Sequence, residues 1–474
     1  MVFCNDHSFN TALLCAITII FVLKSSNANG TTLLRNKGKG FEHDITHSLL
    51  SSSLSPVLVA GWGQNRYIYE PSLLPLPPQA KIEHAHAIVM DDTDNGNGGA
   101  IIITYKDQVD SSRCLLRWRN PNEVAELIGP NNDTLCKGVP HGLVAATEYV
   151  KNANGAIRNH DNNTSSSGVK EPSSPVDVLY HANNEQALHK TNMKGDIIWT
   201  IKGKLGEQKS KNGSRYDTKK NRNNNNAIED DEPYRPTWFA SPPESQYIYL
   251  ADGYGSSKIY VLNKFHGNYT GHSFGGYGTE HGKFRTCHSI AYDDRKSSKS
   301  DNKTMEMVVC DRENHRLEYF RIDPSDPSVF AYTRTVSFDP LLRRPCNLRT
   351  KQQHSDDNEG NSLASAIVPF LEGSVGILDH GNNLVDVVNI TATLGHLGFL
   401  HPHDAHFVPG TKGDFVVATW NPGRIGYFRR VEAAVTTTAT TEKKKGVINK
   451  QLPLPTNGNS NRTLLPEGEY VMVA

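Results

Sequence analysis

The stretch YIYLADGYGSSKIYVLNKF, residues 247–265, sets two short apolar runs on either side of an Asp/Gly-rich turn. The same arrangement returns as MVVCDRENHRLEYFRID at 307–323 and as DFVVATWNPGRIGYFRR at 414–430. β-Branched and aromatic side chains suit a pleated, half-buried surface, so each copy reads as strand, turn, strand. A unit of about forty to fifty residues made of four short strands is the signature of a propeller blade. Working outward, six blade starts fall at about His86, His141, Pro236, His288, Pro345 and His403. The expected fold is therefore all-β, a six-bladed β-propeller over residues 80–430. Further strand-like runs at 86–91, 100–105, 306–310, 415–418 and 424–428 agree, and amphipathic helical text is nearly absent.

Low-complexity text interrupts this pattern at about 152–175, 204–232, 296–304 and 351–361, where Asn, Ser, Lys and acidic residues replace apolar ones. Such segments lack the apolar content to fold alone and read as long disordered inserts. Residues 29–79 are expected to be a flexible N-terminal segment, and 431–474 a disordered tail. The run TALLCAITIIFVL at 11–23 is short for a bilayer span and suits the core of a secretory leader, so 1–28 reads as a signal peptide or an N-terminal anchor. No later segment resembles a membrane span.

Export into the secretory-pathway lumen, or secretion, agrees with N-x-Ser/Thr sequons at Asn132, Asn162, Asn163, Asn212, Asn268, Asn302, Asn389 and Asn461, the marks of a glycoprotein. Of the seven cysteines, Cys4 and Cys15 lie in the leader, leaving Cys114, Cys136, Cys287, Cys310 and Cys346. An odd number leaves at least one unpaired within the chain. With 50 basic and 50 acidic residues the chain offers no electrostatic case for nucleic acid.

Three strings look like copies of one part: Pro140-His141-Gly142-Leu143, Cys287-His288-Ser289-Ile290 and Pro402-His403-Asp404-Ala405. The innermost strand of each blade lines the channel, so one position in blades two, four and six lies on a pseudo-threefold around the axis. Three imidazoles there can face one metal ion, and zinc in catalytic sites takes three protein ligands with an open fourth position. The bland alternative is that each histidine is a strand-start residue satisfied by backbone groups.

These strings, together with Asp252-Gly253-Tyr254 and Asp311-Arg312-Glu313-Asn314, resemble the lyase domain of peptidylglycine α-amidating enzymes. The Gly-rich phrase Phe274-Gly275-Gly276-Tyr277-Gly278, followed by Gly282-Lys283-Phe284, resembles the turn that opens a blade in NHL-type propellers. The resemblance implies a peptidyl-α-hydroxyglycine lyase that releases a peptide amide and glyoxylate from a peptide or small carbinolamide substrate. It puts zinc on His141, His288 and His403, a catalytic tyrosine at Tyr254 acidified by nearby positive charge, and a carboxylate-binding arginine at Arg312. A calcium ion would fall at Asp404, Leu143 and Ile88. Arg312 could equally brace Glu313 or Asp311.

Several positions depart from that family. Lys106 stands where a second arginine is expected, and an ammonium does not replace a planar fork without loss. His401 replaces a methionine, and His86 occupies the ligand-equivalent position of blade one, so both are candidate extra channel ligands. Gly255 replaces a half-cystine, which removes one disulfide. No copper monooxygenase text precedes the ring, so a separate monooxygenase is expected to supply substrate. The alternative reading is a non-catalytic NHL-type propeller that binds a ligand or protein and keeps a structural metal in its channel.

Overall fold

The computed structural model describes residues 57–60, 66–91, 99–129, 133–148, 176–203, 205, 233–243, 245–296, 305–338, 340–351, 364–394 and 400–431. Residues 1–28, read above as a signal peptide or anchor, residues 432–474 and most of the low-complexity inserts lie outside them. Two N-terminal strands, β1 (Val57–Ala60) and β2 (Arg66–Tyr69), come first. Blade one is β3 (Ile82–Asp91), β4 (Ala100–Asp107), β5 (Leu115–Trp118) and β6 (Glu126–Leu127). A single helical turn, α1 (Asp133–Cys136), leads to blade two: β7 (Pro140–Glu148), β8 (Val176–Asn183), β9 (Ala187–Asn192) and β10 (Ile197–Lys202). Blade three is β11 (Trp238–Ala240), β12 (Tyr247–Ala251), β13 (Lys258–Asn263) and β14 (Tyr269–Gly275). Blade four is β15 (Cys287–Tyr292), β16 (Met305–Asp311), β17 (Arg316–Asp323) and β18 (Asp326–Ser337). Blade five is β19 (Arg349–Thr350), β20 (Ala366–Phe370), β21 (Ser374–Leu378) and β22 (Leu384–Asn389), closed by a turn, α2 (Ile390–Thr393). The sixth supplies β23 (Pro402–Phe407), β24 (Phe415–Thr419) and β25 (Arg424–Val431).

All six sheets are antiparallel, blades one to five as meanders of consecutive strands, and together they make a six-bladed β-propeller. The strands expected at 247–251, 100–105 and 306–310 are β12, β4 and β16. Among the described residues no helix is long and apolar enough to cross a membrane.

The ring closes through a strand that lies outside the expected boundaries. β2 pairs antiparallel with β25, and β1 with β2, so the sixth sheet runs β1-β2-β25-β24-β23. Residues from the segment read as flexible thus supply the outer strands of the last blade, and the propeller begins before residue 80. The physical reason is edge capping: β25 left at the rim would present unpaired N–H and C=O groups. Tyr67 carries the closure inward. It is fully buried, edge-on to Phe415 at 5.0 Å between ring centroids, in a cluster with Phe428, Val417 and Ile377.

Apolar clusters fill the spaces between blades rather than one central core. Val308, Cys310 and Leu317 of blade four meet Leu348, Ala366 and Val368 of blade five. The Asp of the repeated turn has a job of its own: Asp252 Oδ1 accepts from Arg235 N at 2.5 Å, Asp311 Oδ1 from Arg285 N at 3.0 Å, and Asp107 Oδ2 from Lys81 N at 3.1 Å. Each carboxylate pins the second-to-third strand turn to the chain entering the innermost strand of its own blade.

Cys114 and Cys136 form a disulfide that links blade one to α1, while Cys287, Cys310 and Cys346 are free and buried. Truncating the closure ring, Tyr67→Ala, is expected to destabilise the fold by about 3–5 kcal/mol, as for other large buried aromatics. Urea unfolding checks this; a loss under about 1 kcal/mol would mean that β2 is not a working part of the sixth blade.

Candidate metal centre

His141, His288 and His403 come together, buried, with ligand-capable atoms all within 4.8 Å of one another. Each sits where the innermost strand breaks register with its neighbour: between Pro140 and Leu143, between Cys287 and Ser289, and between Pro402 and Asp404. A bulge turns a side chain that would otherwise stay in the sheet's alternation, and here it aims the ring along the channel. His86 lies in the equivalent irregularity of blade one, between Ala85 and Ile88.

The rings are held by a threefold pattern of hydrogen bonds. His141 Nδ1 donates to Thr237 O at 2.9 Å, His288 Nδ1 to Cys346 O at 2.7 Å, and His403 Nδ1 to His86 O at 3.0 Å. Each even-numbered blade therefore leans its imidazole on the backbone of the next odd-numbered blade, at the corresponding position of the repeat. Gly142 is required by this contact, because a Cβ there would stand 2.4 Å from Thr237 O.

Because a carbonyl only accepts, Nδ1 carries the proton in all three rings, and Nε2 is a bare lone pair unless the ring is cationic. Burial opposes the cation. It pushes the His141 imidazole down to about 3 and those of His288 and His403 well below the ordinary range. Three lone pairs thus converge, with His403 Nε2 and His141 Nε2 3.1 Å apart. The Tyr254 hydroxyl lies 3.2 Å from His141 Nε2 and 3.1 Å from His288 Nε2, and its one proton can serve only one of them. A cation satisfies such a centre, and orienting a ligand imidazole through its other nitrogen is how metal-binding histidines are usually held. The donor set fits zinc.

Tyr254 is positioned by a tight turn over 252–257. Asp252 Oδ2 accepts from Ser256 N and Oγ, both at 2.7 Å, and a Cβ on Gly255 would meet Asp252 Oδ1 at 2.4 Å. Glycine at 255 is thus a packing requirement. Arg312, in the matching turn of blade four, donates from Nη1 to the Tyr254 oxygen at 3.0 Å and from Nε to Glu313 Oε1 at 3.1 Å. It touches the phenol and braces Glu313 at once. Without a metal ion, burial raises the Tyr254 phenol and the Arg312 charge partly offsets it.

Other expected site residues lie elsewhere. Lys106 Nζ pairs with Glu83 Oε2 at 2.8 Å, half exposed, and among the described contacts it meets neither Tyr254 nor Arg312. His401 stacks on Trp420, centroids 5.6 Å apart, outside the triad. His86 is buried beside it, 4.9 Å from the His403 ring and 5.2 Å from His141, with Nδ1 unpartnered. The three oxygens expected to hold calcium do converge, but on a side chain. Arg349 Nη2 bonds Ile88 O at 2.9 Å, Asp404 Oδ2 at 3.1 Å and Leu143 O at 3.2 Å. The positive charge that these oxygens call for comes from within the chain.

Two residues of this centre escaped the sequence reading. Trp238 is buried with its ring 6.1–6.4 Å from all three imidazoles, and Arg349 lies 5.5 Å from the same indole. Trp238 follows Thr237 at the start of blade three, so the repeat itself was the available signal; Arg349 had none.

No protein-family model matches this sequence, and no curated protein matches it. Among solved structures it is similar to a chain of the lead-soaked crystal structure of BBS1N in complex with ARL6DN, at 9% identity and a TM-score of 0.38, covering 77% of this chain and 98% of that one. It is also similar to Raptor of Chaetomium thermophilum, at 10% identity and a TM-score of 0.38, covering 79% of this chain and 30% of that one.

Arg349→Met would leave the buried Asp404 carboxylate without its cation. The expected loss is on the scale of about 3–5 kcal/mol seen on breaking buried pairs, read by urea unfolding. A change within error would show the guanidinium to be dispensable. The buried imidazoles also set a pH dependence. His141, His181 and His406 titrate near 3 and His189 near 4, all lowered first by burial, so the unfolded chain binds more protons than the folded one between those values and about 6.5. Stability of metal-free protein is expected to be greatest above pH about 6.5 and to fall as pH drops through that window, by up to about 1.4 kcal/mol per unit per histidine. A flat unfolding midpoint from pH 7 to pH 5 would contradict it.

Proposed function

We propose that this protein is a zinc-dependent lyase of the secretory pathway, acting on peptidyl-α-hydroxyglycine or a related carbinolamide to release a peptide amide and glyoxylate. The observation that carries the reading is the convergence of three neutral Nε2 lone pairs on one point beside the hydroxyl of Tyr254. His141, His288 and His403 would hold the ion. Zinc, when bound, lowers the pKa of a hydroxyl it touches.

The chain's own residues supply the rest. Breaking the C–N bond of a carbinolamide requires the hydroxyl to give up its proton as its carbon becomes the aldehyde, and the departing amide nitrogen, which keeps the bonding pair, to take one proton up. Tyr254 lies against two Nε2 atoms and can exchange a proton with a group seated there. Its phenol is raised by burial, so as a base it needs the positive charge of Arg312 and of the centre to stabilise the phenolate. Arg312 also has the planar fork that suits a substrate carboxylate. The disulfide Cys114–Cys136 and the exposed sequon residues Asn268 and Asn389 suit an exported chain. A separate monooxygenase would supply the hydroxyglycine.

A second reading has one observation in its favour. Lys106 is engaged by Glu83, which leaves blade one without the free cation a faithful member of the resembled family would present, as suits a ligand-binding propeller with a structural metal. One assay separates the two. Purified protein incubated with a synthetic peptidyl-α-hydroxyglycine is expected to release glyoxylate, to stop on chelation and to resume with zinc. Tyr254→Phe is expected to lower kcat about 100-fold or more, in the range of a lost general acid–base group, and His288→Ala to abolish turnover. No zinc-dependent glyoxylate would remove the lyase and leave the binder.

A further inference from the structure

The polar chain that starts at the histidines continues outward past Tyr254. Arg312 Nε holds Glu313 Oε1 at 3.1 Å, and the other oxygen of the same carboxylate, Oε2, pairs with Arg344 Nε at 3.2 Å. One carboxylate is thus gripped by two guanidiniums, the inner one 14% exposed, the outer one 46% and Glu313 itself 32%. Arg344 is set in place by its backbone. Its φ is +55°, its N–H donates to His315 Nδ1 at 3.3 Å, and its C=O accepts from Leu371 N at 3.1 Å. A left-handed backbone at a non-glycine residue is costly and persists where surroundings enforce it. Two residues on, the carbonyl of Cys346 braces His288. Across from Arg344, Glu372 Oε1 lies 3.7 Å from Nε, and Glu372 Oε2 is buried without a partner. Among the described residues the two terminal nitrogens of Arg344 make no hydrogen bond.

We infer that Glu313 is an internal stand-in for a ligand's carboxylate, and that a carboxylate-bearing ligand binds between Arg312 and Arg344 as Glu313 turns out to solvent. The exchange is one carboxylate for another, so no guanidinium is left buried and unpaired at either end of it. Arg312 is largely buried and would be costly to leave bare, which gives the ligand-free protein a reason to keep a filler. Glu313 is exposed enough to reach water once displaced. The free fork of Arg344 can accept the outgoing or the incoming carboxylate bidentately. The second cation of the anion site is then Arg344, from the chain entering blade five, and Lys106 stays with Glu83. This deepens the lyase reading and rests on it for one point, that the carboxylate belongs to the glycine-derived end of a peptide.

The test is direct binding, which does not require turnover. Hippurate, an N-acylglycine, and its neutral amide are titrated calorimetrically into the full-length protein, its E313Q variant and its R344M variant. E313Q keeps the shape of the filler and removes its charge, so it is expected to bind hippurate about tenfold tighter, the size of one weakened charge-pair competitor. R344M is expected to bind it at least about tenfold weaker, and the amide is expected to bind weakly and equally to all three. Hippurate affinity unchanged in E313Q, or unchanged in R344M, overturns the inference. If glyoxylate release fails while this pattern holds, the anion site stands and the lyase falls. If glyoxylate is released and the pattern is missing, the lyase stands and the anion site falls.

Discussion

The Nδ1–H to carbonyl contact, made three times around the channel, is the constraint on which the centre depends. It joins blade two to three, four to five and six to one, so it ties the tertiary ring together and fixes the tautomer of each imidazole in one step. Were the donors flipped, Nε2 would carry hydrogen and the centre would be a set of donors aimed at each other. With the donors as they are, it is a set of acceptors. Rigid strands hold the groups, and the register breaks at each histidine are what turn them inward.

Around this threefold floor the turns between second and third strands differ blade by blade. Blade three gives Tyr254, blade four Arg312 and Glu313, blade five Glu372, blade six Trp420. The antiparallel meander brings every such turn to the end of its blade where the innermost strand begins, which is where the histidines are. One layer further along those strands the chain provides Arg349. Its guanidinium gathers Ile88 O, Leu143 O and Asp404, and Asn347 Nδ2, Ile88 N and Ala405 N complete the carboxylate's partners. A buried carboxylate with that many donors is stable because none of its lone pairs is abandoned. The channel is thus ordered by charge: cation-hungry nitrogens, then an indole, then a built-in cation.

What was legible in the sequence follows from what repeats. Strand runs such as 247–251 and 100–105 stand out as unbroken apolar text rich in β-branched and aromatic residues, and the Asp of the turn recurs because it makes the same backbone contact in blades one, three and four. The histidine strings could be aligned for the same reason. What did not repeat stayed hidden. Closure by β2 hides in a short Arg66–Tyr69 run outside the periodic text, and its pairing depends on the far end of the chain. Arg349 meets oxygens some 200 to 260 residues away in sequence, or 55 away at Asp404, and no local pattern encodes that register. The burial that raises the Tyr254 phenol was not legible either, because a nearby arginine is visible in sequence while the water that burial removes is not.

The alternation of roles also explains why the odd blades were free to diverge. A backbone carbonyl is present whatever the side chain, so Thr237, Cys346 and His86 serve equally as braces although their side chains share no chemistry. The even positions have no such freedom, since each must offer an imidazole with its outer nitrogen donating. A sixfold repeat can therefore build a threefold centre without three of its units contributing a ligand. Those three side chains are then available for other work: Thr237 hydrogen-bonds the backbone of its own blade, Cys346 fills space as a buried thiol, and His86 brings a fourth imidazole with an unpartnered nitrogen to within 5 Å of His403. Chemistry beyond the triad has room to arise at the odd positions, where the scaffold asks only for a main chain.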